Sequence, residues 1–184
     1  MPEIEKIEHT PNPNAKKFVL KEPLTFGSSY SFDNAQQAQD NPLVSALFEI
    51  KHITNIFYVY NWLTVTQDGG ASWDDLEQKV SAQIESASAA DAQVTEAIAA
   101  ETTDGRSQEQ QERFVAINSL IDTKIRPALR GDGGDLKVVS LTENELSIHY
   151  QGACGSCPSS IAGTLRGIEN LVRTIEPDIN VVAV

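Results

Sequence analysis

The chain has 184 residues and a net charge of −12, and it is long enough to form one or two domains with modest cores. Its lysines and arginines are not clustered, which argues against a nucleic-acid partner, because phosphate binding requires grouped cations. No apolar run approaches the length of a membrane-spanning helix. The first residues resemble neither a secretory signal nor an Arg-rich transit peptide, so we expect a cytoplasmic protein of bacterial type with no membrane partner.

The first 85 residues predict a small domain that contains several strands. Residues 4–9 and 16–21 flank a turn rich in proline and asparagine, and they favour a hairpin of two strands. Residues 23–30 are predicted to form a loop. The β-branched and aromatic residues of 53–60 and the alternation over 62–66 predict two further strands that lie side by side.

Two helices are predicted in the same domain. Asn41 followed by Pro42 is typical of a helix start, and Ser72 is a second candidate N-cap with acidic residues in the turn after it. Apolar residues at helical spacing follow both caps: Leu43, Ala46, Leu47 and Ile50 after the first, and Trp73, Leu76, Val80 and Ile84 after the second. Each helix is therefore expected to have one apolar face.

A stretch rich in alanine, serine and acidic residues, 86–107, predicts a linker between two folded domains. Ser107 with Gln110 resembles a capping box, which places the start of the next helix near residue 108. Pro127 lies within that helical pattern and is expected to kink its last turn. The predicted domains are residues 1–85 and 108–184.

The second domain is predicted to run in the order helix, strand, strand, cysteine loop, helix, strand. The strands are expected at Leu136–Leu141, Glu145–Gln151 and Ile179–Val184. Apolar residues recur at helical spacing between Cys157 and Pro177. Two helices over one small sheet would bury these apolar faces. The predicted fold class is therefore α+β, with two small two-layer α/β domains joined by the acidic linker.

Both cysteines of the chain lie in one motif, Cys154-Gly155-Ser156-Cys157, between a predicted strand and a predicted helix. Two thiols at this spacing can pack as small buried residues, form a redox-active disulfide, or bind a soft metal. The glycine, serine and proline around them argue against a packed core position. A thioredoxin-type pair is expected after a βαβ crossover, whereas a hairpin precedes this motif. A thiol–disulfide redox protein is the alternative function.

Metal binding by the two thiols has two forms. A structural zinc site needs four nitrogen or sulfur ligands, and His149, the histidine nearest to the cysteines in sequence, is expected to point away from the strand face that carries Tyr150. Zinc at a dimer interface stays open. An iron–sulfur cluster usually takes four thiolates, so two chains with two cysteines each would share one cluster. Such a cluster would be labile, which suits a protein that hands its cluster on.

Several stretches of the chain match the motifs of one known family. In the second half they are Arg126-Pro127-Ala128-Leu129, Gly131-Asp132-Gly133-Gly134-Asp135, Gly152-Ala153-Cys154-Gly155-Ser156-Cys157-Pro158-Ser159-Ser160 and Gly167-Ile168-Glu169. In the first half they are Thr10-Pro11-Asn12-Pro13-Asn14-Ala15, Pro42-Leu43 with Leu47-Phe48, and Trp62-Leu63-Thr64-Val65-Thr66. With these motifs the chain resembles the NifU-like, Nfu-type iron–sulfur scaffold and carrier proteins. One departure is Gly163-Thr164-Leu165-Arg166, where the helix register is shifted by one residue.

This resemblance implies a scaffold or carrier, not an enzyme. Such a protein binds a labile [4Fe-4S] cluster, with [2Fe-2S] as the alternative, bridged between two chains, and transfers it to apo-proteins. Cys154 and Cys157 would be the metal and cluster ligands. The implied partners are a second copy of the chain, upstream cluster donors and apo iron–sulfur client proteins. The resemblance assigns no ligand role to Asp132-Gly133-Gly134-Asp135, and it gives the first domain a role in recognising partners.

Overall fold

The computed structural model of the chain describes residues 2–87, 107–155 and 158–184, with side chains described for all of these except 158–162. It contains two compact units, Met1–Ala100 and Glu101–Val184. Both mix strands with helices, so the predicted two-domain α+β class is confirmed. Most of the predicted linker, residues 88–106, lies outside the described residues, and the predicted boundaries at 85 and 108 stay predictions. None of the described helices is both long enough and apolar enough to cross a bilayer.

The first unit is a five-stranded antiparallel sheet with two helices. Its elements are β1 (Ile4–His9), β2 (Ala15–Leu20), β3 (Ser29–Phe32), α1 (Pro42–Phe48), β4 (Ile53–Val59), β5 (Trp62–Gln67) and α2 (Trp73–Ser86). The strand order is β1-β2-β5-β4-β3. Alternate residues of the central strands join the helices in one core, while Val19, Phe57, Val59 and Trp62 form a smaller cluster on the opposite face of the sheet.

Both predicted caps of this unit are present. The Asn41 side chain accepts a hydrogen bond of 2.9 Å from the Val44 amide and donates one of 2.9 Å to the Tyr58 hydroxyl. The Ser72 hydroxyl accepts from the Asp74 amide at 3.3 Å. Each cap satisfies a backbone N–H that has no partner within the helix.

The predicted loop over residues 23–30 is wrong at its end. Ser29 and Tyr30 begin β3, in which Tyr30 is paired with Tyr58 of β4. The Tyr30 and Tyr58 rings pack with their centroids 5.4 Å apart. This strand therefore depends on a partner that lies far along the chain, which local sequence pattern does not reveal.

The second unit is a three-stranded sheet with helices. Its elements are α3 (Gln108–Lys124), α4 (Arg126–Gly131), β6 (Gly134–Leu141), β7 (Glu145–Gly152), α5 (Pro158–Val172) and β8 (Asn180–Ala183). β7 is the central strand, antiparallel to β6 and parallel to β8. The core residues are Ile117, Ile121, Leu129, Leu136, Val138, Leu146, Ile148, Tyr150, Cys154, Ile168, Val172, Ile179 and Val181.

Of two predictions for the start of this unit, the capping box is confirmed, and the kink at Pro127 is wrong. The Ser107 hydroxyl accepts from the Gln110 amide, and the Gln110 side chain accepts from the Ser107 amide, so the capping box is complete. Pro127 does interrupt the helical pattern, and its effect is a break rather than a kink. α3 ends at Lys124, and Ile125 lies between the two helices. α4 starts at Arg126 with the proline in its first turn, where no backbone N–H is needed.

Candidate functional site

The first cysteine lies in a tight loop that follows β7. Gly152, the last residue of the strand, has a φ of 64°, a left-handed conformation that favours glycine. The Gly155 amide then donates to the Gly152 carbonyl oxygen at 3.0 Å, which closes a turn around Cys154. The Ala153 amide donates to the carbonyl oxygen of Gly133 at 3.1 Å. The loop is therefore attached to the segment that precedes β6.

Cys154 itself is buried, with 4% of its surface exposed, and belongs to the core cluster of the second unit. The expectation that the small residues around the cysteines keep them out of the core is therefore wrong for Cys154. The reason is the turn at Gly152, which directs the residue after next back over the sheet. Cys157 lies outside the described residues, and its role stays a prediction.

Gly134 lies directly against the cysteine. It is paired with Gly152 at the end of the β6–β7 ladder. A Cβ atom added at Gly134 would be 2.6 Å from the Cys154 Sγ and 2.7 Å from the Gln151 carbonyl oxygen. These distances are too short for any non-bonded carbon contact, so only glycine allows the strand and the cysteine loop to lie this close together.

We expect Gly134→Ala to destabilise the second unit by about 1–3 kcal/mol, because the cysteine loop must move away from the new methyl group. Urea unfolding followed by circular dichroism would measure this loss. Gly131→Ala is the matched control, since a Cβ added there would meet no atom within 4 Å apart from its chain neighbours and the backbone of its own helix, and a change below about 0.5 kcal/mol is expected. Equal midpoints for both variants would contradict the packing of Gly134 against Cys154.

Asp135 is a fully buried carboxylate beside this glycine, with no exposed surface. Arg126 Nη1 donates to its Oδ1 at 2.6 Å, and Arg130 Nε donates to its Oδ2 at 2.9 Å. The Leu136 amide also donates to Oδ1, at 2.7 Å. Both oxygens of the buried charge are thus paired, as a carboxylate removed from water requires.

The ion pairs of Asp135 join α4 to the first residues of β6, next to the cysteine loop. They give a structural role to a motif to which the resemblance assigned no ligand role. A signal was present, because Arg126 and Arg130 are four residues apart and therefore share one helix face shortly before the aspartate. The two arginines hold the segment that contacts Cys154.

The side chain of Tyr150, four residues before the cysteine, is also buried, with 6% of its surface exposed. Its hydroxyl has no hydrogen-bond partner within the described parts of the chain. Burial, and to a lesser extent the nearby negative charge of the Cys154 sulfur, raise the pKa of Tyr150 to about 12. The hydroxyl is therefore a neutral donor beside the cysteine.

His149 does not join the cysteine in this structure. It is exposed on the strand face opposite Tyr150, as predicted, and its Nδ1 donates to the Val184 carbonyl oxygen at 2.7 Å. Across residues 2–87, 107–155 and 158–184, no three His, Cys, Asp or Glu side chains are placed to hold one metal ion. A mononuclear zinc site that uses His149 therefore finds no support in the described residues.

Two solved structures match less than half of the chain. A crystal structure of a Staphylococcus aureus protein is 25% identical, covers 44% of this chain and 96% of its own, and has a TM-score of 0.40. The solution structure of a NifU-like protein from Saccharomyces cerevisiae is 25% identical, covers 44% of this chain and 75% of its own, and has a TM-score of 0.41. With scores this low, neither comparison carries weight for function.

Curated relatives match along nearly the whole chain. The protein named "NFU1 iron-sulfur cluster scaffold homolog, mitochondrial" from Drosophila erecta is 29% identical over 175 residues, which are 95% of this chain and 62% of that protein. The protein of the same name from Drosophila grimshawi is 28% identical and is matched over 59% of its length. The chain thus spans about three fifths of the length of these relatives.

Two family models match the two halves of the chain. The model described as "Scaffold protein Nfu/NifU N terminal" matches residues 4–91. The model described as "NifU-like domain" matches residues 117–183, a range that includes both cysteines. The matched ranges follow the division of the structure into two units. The chain belongs to the Nfu-type family of NifU-like scaffold proteins, with an Nfu N-terminal domain followed by a NifU-like domain.

Proposed function

We propose that this protein is an iron–sulfur cluster scaffold and carrier. Cys154 and Cys157 bind a labile [4Fe-4S] cluster that is shared with the same two residues of a second chain, and the dimer transfers the cluster to apo-proteins. The observation that carries the proposal is the NifU-like match across both cysteines, of which Cys154 lies on a short loop at the end of the central strand of its domain's sheet. The names of the curated relatives, which describe iron–sulfur cluster scaffolds, support it.

The chemistry of the two cysteines suits this role. Thiolates are soft ligands that bind iron in clusters, and one chain offers two of the four thiolates that a cluster takes. A second chain supplies the other two. Transfer is then an exchange of ligands, in which thiolates of a client protein replace Cys154 and Cys157 on the iron without oxidation or reduction of the cluster.

The loop around Cys154 supports the proposed exchange. Its position is set by backbone hydrogen bonds to Gly152 and Gly133 and by contact with Gly134. Gly152 and Gly134 belong to the sheet, and Gly133 directly precedes it. A scaffold needs ligands that are held by the protein when no cluster is bound, so that the cluster is received and released without refolding of the domain. The proposed partners are upstream donors and apo iron–sulfur clients.

Anaerobic reconstitution with ferrous iron and sulfide tests the function directly. We expect a brown dimer in size-exclusion chromatography, with about two irons and two sulfides per chain, as for one four-iron cluster shared by two chains. About one iron per chain in a brown dimer would indicate that the two chains share a [2Fe-2S] cluster instead of a four-iron cluster.

Two other results would overturn the proposal. A colourless monomer that readily forms a disulfide between Cys154 and Cys157 would favour a thiol–disulfide redox protein. A tightly bound colourless metal in protein purified with iron available would favour a zinc site.

Within the cell, a cytoplasmic location stays a prediction, and the curated relatives are named as mitochondrial.

A further inference from the structure

The Tyr150 hydroxyl is a buried polar group that the fold of the second unit leaves without a hydrogen-bond partner. The residue is 94% buried, and nothing in the described part of the chain forms a hydrogen bond with its Oη. Nearly all buried polar groups in native proteins have a partner, because an unpaired one loses its hydrogen bonds to water without replacement. Such a group is available to bond a ligand that the apo chain does not hold.

The surroundings of this hydroxyl indicate which ligand it serves. Tyr150 and Cys154 belong to the same buried cluster. The cysteine loop turns back over the end of β7, so that a Cβ added at Gly155 would be 3.1 Å from the Tyr150 carbonyl oxygen. A neutral phenol donates one hydrogen bond, and a thiolate sulfur accepts one. The Cys154 sulfur, which belongs to the proposed cluster ligand, is an acceptor within the same buried cluster.

We propose that the Tyr150 hydroxyl donates a hydrogen bond to the Cys154 sulfur when that sulfur binds the iron of the cluster. This inference rests on the proposed function and adds a residue to it. Hydrogen bonds to the sulfurs of a cluster draw charge away from the iron, and they influence both its reduction potential and its retention. Tyr150 thus positions and stabilises one ligand, and the strength of this contact sets how readily the cluster is released.

A packing role for the tyrosine ring makes a different prediction, and Tyr150→Phe separates the two. Phenylalanine keeps the ring and removes only the oxygen. If the hydroxyl serves the cluster, the apo variant unfolds at the same urea concentration as the wild type or at a higher one, because an unpaired buried oxygen has been removed. The same variant loses its cluster faster. An unchanged or higher stability of the apo protein, together with faster loss of the cluster, would identify this contact.

The experiment compares the full chain and its variants after anaerobic reconstitution. The half-life of the cluster is followed by visible absorbance during challenge with an iron chelator, and its reduction potential is measured in the same preparations. We expect Tyr150→Phe to shorten the half-life about tenfold, the usual scale for the loss of a group that hydrogen-bonds a metal ligand. We also expect a more negative potential, because the sulfur keeps more charge.

Tyr58→Phe is the matched control. Tyr58 is also a buried tyrosine, in the other unit, and its hydroxyl accepts a hydrogen bond from Asn41 at 2.9 Å. This variant should lower the stability of the apo protein and leave the cluster half-life unchanged. Tyr58→Phe should thus affect only the stability of the apo protein, whereas Tyr150→Phe should affect the cluster without lowering that stability.

Two outcomes for Tyr150→Phe would overturn the inference. The first is a cluster with the half-life and potential of the wild type. The second is a loss of apo stability together with the cluster, which would make the hydroxyl part of the fold. A wild-type chain that takes up no cluster overturns the proposed function, and this inference with it, so the two failures are distinguishable.

Discussion

Cys154→Ser and Cys157→Ser are each expected to lower the iron content after reconstitution from about two irons per chain to less than about 0.2, because one missing thiolate leaves an iron of the cluster without its protein ligand. The loss should exceed that caused by any other substitution in the domain. Iron and sulfide analysis after size-exclusion chromatography measures it, and the variant chains should elute as monomers.

The burial of Cys154 requires a control for this experiment, since a cysteine in a core also acts as a small hydrophobic residue. Cys154→Ala keeps an apolar side chain of similar size, and its apo form should remain within about 1 kcal/mol of the wild type in urea unfolding. It should nevertheless lose the cluster as completely as Cys154→Ser. Full and stable loading of either single variant would show that the replaced cysteine is not a ligand.

Local signals in the sequence predicted much of the fold, because each depends on residues close together in the chain. The hairpin of β1 and β2 follows from two apolar segments around a turn. The caps at Asn41, Ser72 and Ser107 follow from side chains that bond the first turn of the same helix. The hydrogen bonds that fix the caps join residues only two or three positions apart, and those of the hairpin join two strands that are adjacent in sequence.

The features that sequence reasoning missed depend on distant residues. β3 needs β4, which lies more than twenty residues further on. Cys154 was expected outside the core because its neighbours are small, yet the turn at Gly152 places it within the core cluster. The alternation of β7 indicated that Tyr150 is buried, but whether a buried hydroxyl has a partner depends on every element packed around it.

Asp135, in the glycine-rich motif, is a further case. Among the residues near the cysteine loop that are not cluster ligands, its substitution should have the largest effect on stability. We expect Asp135→Asn to destabilise the second unit by about 3 kcal/mol, the low end of the range for breaking a buried ion pair. The low end applies because Arg126 and Arg130 keep 17% and 26% of their side chains exposed. Water therefore partly solvates the two guanidinium groups when the carboxylate charge is removed.

Calorimetry of the full chain would measure this loss as a decrease on the order of 12–24 °C in the melting temperature of the second unit, given about 4–8 °C for each kcal/mol in a domain of this size. Tryptophan fluorescence identifies the transition of the first unit, because both tryptophans of the chain, Trp62 and Trp73, lie in that unit. Asp132→Asn is the matched control, since Asp132 lies in the same motif but is exposed, and its effect should stay below about 0.5 kcal/mol.

The same substitution also tests how the ion pairs act on the cysteine loop. Asp135 joins α4 to β6, and Gly134, the residue before it, contacts the Cys154 sulfur. Loosening this segment should expose the buried thiol, so Cys154 should react with a thiol reagent at least tenfold faster in Asp135→Asn than in Asp132→Asn at temperatures where both are folded. Equal reaction rates together with a lowered melting temperature would mean that the ion pairs stabilise the domain without holding the cysteine loop in place.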